Sequence, residues 1–177
     1  MARVKKAAHE YQRYGGCSQS VLLSLQEEFH IGNEQSFMAA TALAGGVARS
    51  GETCGALIAA IMALNLLIGR KKIEDTERLK ESIVLSAELR NRFKQELHKQ
   101  LGFKESLKTT LCGEIQEKLY GRSFDMLDEK DYQAYIDAGG RSDTGSLAVC
   151  DIAAQVAAEK ILNISRGGDA YRCRYSG

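Results

Sequence analysis

Apolar residues recur every three or four positions along most of the chain, which is the spacing of amphipathic α-helices. The clearest example is Cys17–Phe29, whose apolar residues follow this spacing from end to end. The segment 56–68 is apolar nearly all round, which is typical of a buried helix. No segment stands out for the alternation expected of a half-buried strand. The pattern therefore predicts an all-α fold, a multi-helix bundle of about six to eight helices with a central apolar helix starting near Cys54.

Glycines and capping residues separate the apolar segments. The chain has 17 glycines and no proline, a composition that suits long helices joined by glycine turns. Asn33 is a favourable N-cap residue for the helix that follows it, and Gly102 is a favourable residue to end the helix that precedes it. The predicted helices cover residues 2–14, 17–29, 34–44, 53–68, 75–101, 106–120, 128–136 and 147–164. We expect a single helical domain over residues 1–165 and a short polar tail over 166–177.

Charge and length limit the classes of function. The formal net charge is only +1, without the basic excess of a nucleic-acid-binding protein. The longest apolar stretch is too short to span a bilayer, and no apolar run follows the basic N-terminus as in a secretory signal. Five cysteines, an odd number, argue against a simple disulfide framework. We therefore expect a cytoplasmic protein with reduced thiols that binds neither nucleic acid nor a membrane.

Four cysteines occupy comparable places at predicted helix starts. Cys17 follows two glycines, Cys54 follows the glycine-rich turn 45–51, Cys112 precedes a glycine, and Cys150 precedes an alanine-rich helix. Free backbone N–H groups and the positive end of the helix dipole favour the thiolate there, the form that attacks disulfides and binds metals. No Cys-x-x-Cys pair occurs, so a shared site requires ligands from several helices.

Residues around the central cysteine are candidates to help bind a cofactor. Gly46 and Gly51 lie in a turn whose backbone N–H groups can bond to sulfur, and Gly55 permits the close approach of a backbone or bound group. Arg49 can lower a thiol pKa or offset the charge of a thiolate-bound cluster. Each candidate also has a structural interpretation, since cysteine packs as a small apolar residue and a loop arginine is often only solvated. For Cys173 a plain tail position is the better interpretation.

Four sequence elements, taken in order, resemble a known family. They are Cys17-Ser18-Gln19-Ser20-Val21, Gly45-Gly46 through Cys54-Gly55-Ala56, Cys112 with Leu119-Tyr120-Gly121, and Cys150 ahead of the final helix. Over about residues 10–164 they resemble the family of redox-active proteins named after its cysteine signature, C_GCAxxG_C_C. A similar cysteine domain occurs in split-Soret cytochromes, beside haem-binding segments that this chain lacks. The resemblance implies a helical domain with a cysteine-based redox or iron–sulfur role.

Several functions stay open at this point. In the first, Cys17, Cys54, Cys112 and Cys150 ligate an iron–sulfur cluster and exchange electrons with an unidentified redox partner. In the second, no metal is bound and Cys54, with Cys17 as its second thiol, is the nucleophile of a thiol–disulfide oxidoreductase. In the third, the chain is a helical interaction module whose cysteines only pack. A zinc site is a further option, although zinc sites usually contain close ligand pairs. The many apolar faces favour a homodimer.

Overall fold

In a computed structural model that describes residues 2–166, the chain folds into eight α-helices, and this part contains no β-strand. The helices are α1 (Ala2–Gln12), α2 (Cys17–Phe29), α3 (Glu34–Ala39), α4 (Gly55–Ile68), α5 (Thr76–Leu101), α6 (Cys112–Tyr120), α7 (Glu129–Asp137) and α8 (Ser146–Arg166). The prediction of an all-α multi-helix fold is confirmed. Cys173 and the predicted tail, except its first residue, lie outside the described residues.

The first three turns of α4 form the centre of the hydrophobic core. This helix packs against α2, α5 and α8, and α1 packs on α2 and α8. Small residues let neighbouring helices approach closely. The buried alanines are Ala56, Ala59, Ala60 and Ala63 on α4 and Ala153, Ala154, Ala157 and Ala158 on α8. The predicted central apolar helix is therefore present, although its last turn reaches the surface at Leu66 and Leu67, which are 39% and 46% exposed.

The helix predicted over residues 34–44 is shorter in the structure. It begins as expected, since the Asn33 side chain accepts a hydrogen bond from the Ser36 backbone N–H at 3.0 Å. It ends at Ala39, and a 3-10 turn follows over Thr41–Leu43. The Ser18 hydroxyl donates to the carbonyl of Ala40 at 2.7 Å, so that carbonyl has a partner outside the helix. A long-range contact of this kind leaves no trace in local periodicity.

The helix predicted over residues 106–120 begins only at Cys112. The Glu114 carboxylate accepts hydrogen bonds from the backbone N–H groups of Lys108 and Thr109 at 2.6 and 2.7 Å. The carbonyl of Thr110 accepts a hydrogen bond from the backbone N–H of Cys54, which is distant in sequence. Because these backbone groups have partners outside a helix, the four-residue spacing of leucines before residue 112 produces no helical turn.

A small aromatic cluster lies beside the main core, between α6 and α7. Tyr120, Phe124 and Tyr135 pack edge to face, with ring centroids 5.7 to 5.9 Å apart. This geometry is favourable because the positive edge of one ring meets the negative face of the next. The cluster brings Tyr120 and Tyr135 next to the starts of α2, α4 and α6, where three cysteines lie.

None of the helices between residues 2 and 166 is long and apolar enough to cross a membrane.

Candidate functional site

A left-handed turn leads into the central cysteine segment. Five consecutive residues have φ between 50° and 73°, and they are Gly45, Gly46, Val47, Ala48 and Arg49. Glycine adopts this region freely, whereas residues with a Cβ pay a steric penalty of roughly 1–2 kcal/mol each. The turn is closed by backbone hydrogen bonds, including one of 3.1 Å from the Gly51 N–H to the Gly45 carbonyl. Three non-glycine residues are thus held in a strained backbone beside the cysteines.

Replacing Ala48 by glycine is expected to raise the free energy of unfolding by about 1 kcal/mol, because Ala48 has φ 50° and glycine removes the steric penalty of a Cβ in the left-handed region. Ala48 is exposed, so little burial is lost. Ala44→Gly is the matched control: Ala44 has φ −70° and ψ 153°, where glycine brings only flexibility and a small loss of stability. Chemical denaturation of both variants measures the difference. Equal destabilisation by the two substitutions would show that the turn is not strained.

Backbone hydrogen bonds join the segments that carry Cys54 and Cys112. The N–H of Cys54 donates to the carbonyl of Thr110 at 2.9 Å, and the N–H of Cys112 donates to the carbonyl of Glu52 at 2.7 Å. Thr53 lies in an isolated antiparallel bridge within the same pairing. The starts of α4 and α6 are therefore fixed side by side, although 58 residues separate the two cysteines in sequence.

Gly55 brings the start of α2 against the start of α4. A Cβ on Gly55 would lie 2.9 Å from Cys17 Sγ and 2.4 Å from the carbonyl oxygen of Leu43. The backbone N–H groups of Gly45 and Ala56 lie close enough to the Cys17 sulfur to lower its pKa. The glycine after Cys54 thus makes room for a second cysteine and a second backbone at the same point.

Three cysteines at the starts of three helices, Cys17, Cys54 and Cys112, line one inner cavity of about 50 Å³. Cys150 does not line this cavity and is fully buried in the second turn of α8. Its ionised form would be repelled by the ionised forms of the other three thiols. It is therefore not at a helix N-terminus as expected, because α8 begins already at Ser146. All four thiols are free.

Burial raises the pKa of all four thiols. The pKa of Cys54 rises from its ordinary value of 9.0 to about 12, first by burial and then by the nearby Cys17. Backbone N–H groups at the helix starts lower the pKa of Cys17 and Cys54 but do not offset burial. The expectation that the helix starts favour thiolates is thus wrong for the metal-free chain, since desolvation outweighs the helix dipole.

The Arg49 side chain contacts Met126 and Tyr132 and not a cysteine sulfur, unlike the thiolate partner expected from the sequence. Its Nη1 donates to the Met126 carbonyl at 3.2 Å, and its guanidinium lies over the ring of Tyr132, 5.0 Å from the centroid. Gly46 is buried beside Cys112, where a Cβ would lie 2.7 Å from the Cys112 Cβ. Gly51 accepts a hydrogen bond from the Gly113 N–H at 3.0 Å, so its carbonyl joins the start of α6.

The inner cavity also contains a buried polar group without a partner. The Tyr120 hydroxyl lines it with the three cysteines, and no hydrogen bond of normal geometry joins it to a residue between 2 and 166, although Tyr135 and the backbone of Ser146 lie near enough to lower its pKa. Burial raises the Tyr120 pKa to about 12, so the hydroxyl keeps its proton and is a donor. A buried donor without an acceptor costs about 1–3 kcal/mol, which an acceptor inside the cavity would recover.

The ligand chemistry of the site is that of thiols alone. Within residues 2–166, no group of three or more His, Cys, Asp or Glu side chains is placed to hold a metal ion. Soft thiolate ligands suit iron–sulfur clusters, copper(I) and zinc. A multi-iron cluster takes one cysteine at each of several irons, so it spreads its ligands more widely than a single ion does. The donor set and the unpartnered hydroxyl fit a cluster in their chemistry.

Several site residues were missed by sequence reasoning. Gln116 and Tyr135 line the inner cavity, and Tyr132 and Arg141 line a larger one next to it. Tyr120 was part of a motif in the family resemblance, but no role in the site was predicted for it. All but Gln116 and Tyr120 lie in the polar, glycine-rich stretch 122–144, which has no strong periodicity. The two tyrosines in this polar stretch are a signal for Tyr132 and Tyr135, whereas Gln116 and Arg141 have no comparable signal in the sequence.

The fold and the grouped thiols define a helical, cysteine-motif class of redox protein. The model of the family described as "Putative redox-active protein (C_GCAxxG_C_C)" matches residues 16–164. The match includes all four cysteines of the site, and the chain belongs to this family. Comparisons with curated proteins and with solved structures returned no match.

Proposed function

We propose that the protein transfers electrons through an iron–sulfur cluster held by Cys17, Cys54, Cys112 and Cys150. The observation that carries the proposal is the inner cavity, where three thiols at the starts of separate helices meet a Tyr120 hydroxyl that has no hydrogen bond of normal geometry. Such a cluster supplies one-electron transfer when bound. The four free thiols supply the ligand number that cubane clusters use, with Cys150 as the fourth ligand.

The surrounding backbone has the groups that stabilise a charged thiolate site. Backbone N–H groups at the starts of α2 and α4 lower the pKa of Cys17 and Cys54 and so favour their thiolates. Hydrogen bonds to ligand sulfur and exclusion of water both tune the potential of a metal site. Because all four thiols are protonated in the metal-free chain at neutral pH, loading the site releases protons, and its affinity for metal rises with pH.

The alternative functions account for fewer of these observations. A metal-free thiol–disulfide enzyme needs a thiolate at neutral pH, whereas burial raises the pKa of its nucleophile, Cys54, to about 12. Purely structural cysteines explain neither a cavity among the thiols nor the unpartnered hydroxyl of Tyr120, since protein cores are normally filled and their polar groups paired. Four adjacent free thiols persist in a reducing compartment, so the proposal places the protein in the cytoplasm. The redox partner and the homodimer stay predictions.

The proposal is tested by measuring iron, acid-labile sulfide and the visible spectrum of protein purified without oxygen. We expect iron and sulfide in stoichiometric amounts, both lost in Cys54→Ser and both kept in Cys173→Ser, the matched control from the tail. Circular dichroism of each variant separates loss of the cluster from loss of the fold. A colourless protein that takes up no iron, even after attempted reconstitution, would overturn the proposal.

A further inference from the structure

A second cavity of about 200 Å³ opens beside the inner one. The two cavities share Cys17, Cys112, Gln116, Tyr135 and Ser146 in their walls. A molecule in this outer cavity is therefore in direct reach of the thiol site. The outer cavity differs from the inner one because charged side chains line it.

Two arginines, Arg49 and Arg141, meet at Tyr132 in the wall of the outer cavity. Arg141 Nη2 donates to the Tyr132 hydroxyl at 2.7 Å, and Arg49 lies over the face of the same ring. Their remaining protein hydrogen bonds go to the backbone carbonyls of Met126 and Arg13. Among residues 2–166 neither arginine forms an ion pair, and no Asp or Glu lines this cavity.

We propose that the outer cavity binds a small oxyanion, a carboxylate or a tetrahedral anion, between Arg49 and Arg141. Two guanidinium groups without carboxylate partners in a concave site concentrate positive potential. Their planar donors match the oxygen atoms of carboxylates and phosphates. Binding there brings the anion next to Cys17 and Cys112. The proposal concerns binding alone and does not depend on what the thiols hold.

The size of the cavity limits the ligand. A volume of about 200 Å³ has room for a small molecule. Pockets for drug-sized ligands are larger, about 300–1,000 Å³. The cavity itself therefore encloses a compound of a few non-hydrogen atoms, and any larger ligand would extend out of its open side.

Calorimetric titration of the full, metal-free chain with inorganic phosphate and with acetate at low ionic strength tests the proposal. We expect saturable binding of at least one of the two, weakened about tenfold to a hundredfold in Arg49→Gln and in Arg141→Gln. Arg141→Lys keeps the charge without the planar fork and is expected to weaken binding less than Arg141→Gln. Arg90→Gln, which removes an exposed positive charge on α5, is the matched control and should bind as the unmodified chain does.

The two probes distinguish the chemistry of the ligand: phosphate alone indicates a tetrahedral anion, and acetate alone or with phosphate indicates a carboxylate. Circular dichroism shows whether each variant is folded. Absence of saturable binding to either probe would overturn the proposal, and so would an equal loss of affinity in Arg90→Gln. Iron content has no part in this experiment, so its outcome is separate from that of the cluster measurement.

Discussion

Gly55→Ala is expected to lower the free energy of unfolding by about 3 kcal/mol and to abolish iron incorporation. The added Cβ would lie 2.4 Å from the Leu43 carbonyl oxygen and 2.9 Å from Cys17 Sγ. The first contact is with backbone, so a side-chain rotation cannot relieve it. The starts of α2 and α4 must move apart, and this movement displaces Cys17 from Cys54. Chemical denaturation and iron analysis measure the two effects.

Gly113→Ala is the matched control, because Gly113 also follows a cysteine directly at the start of a helix. A Cβ there would be no closer than 3.6 Å to its nearest neighbour, which is an ordinary contact. Alanine is favoured over glycine in a helix by roughly 0.5–1 kcal/mol, so this variant should be as stable as the unmodified chain or more so. If Gly55→Ala proved equally harmless, the close approach of the two cysteine segments would be wrong.

The helices could be predicted because their signals are local. The bounds of α2 agree with its apolar spacing, and Asp75 and Asp128 cap α5 and α7 within one residue of the predicted starts. The irregular segments could not be predicted in this way. The stretch before Cys112 has the same leucine spacing as a helix, yet its backbone pairs with residues 51–54. Partners so distant in sequence leave no periodic signal.

The features of the candidate site also divide into those that follow from single residues, which could be predicted, and those that depend on distant packing, which could not. The four cysteines and the close approach at Gly55 were deduced from residue type and position, because sulfur chemistry and the lack of a Cβ are properties of single residues. Their protonation was misjudged, because burial depends on what packs over the helix starts. The aromatic cluster that covers the thiols comes from α6, α7 and the loop between them. The sequence around these aromatic residues does not show which part of the fold they pack against. The same holds for Arg141, which reaches Tyr132 across nine residues.

The metal-free protein is expected to lose stability as the pH rises above about 9. Below the ordinary thiol pKa of 9.0, both the folded and the unfolded chain keep the Cys54 proton. Between 9.0 and about 12 the unfolded chain releases this proton while the folded chain retains it. Rising pH therefore favours the unfolded state, at ~1.4 kcal/mol per pH unit for this one thiol. By pH 10.5 the loss from Cys54 alone is about 2 kcal/mol, and the pKa values of Cys17, Cys112 and Cys150, raised by burial, add in the same direction.

Denaturation at several pH values, with reductant and a chelator present, measures this loss, and two comparisons assign it. Cys54→Ser should show a shallower decline, because serine has no proton to release in this range. The iron-loaded protein should show none of the thiol-dependent loss, because its ligand thiolates are already deprotonated. The same slope in the unmodified chain and in Cys54→Ser would mean that the Cys54 thiol is not buried in the folded protein. The comparison thereby reports on the desolvation of the site directly, whether or not the chain binds iron.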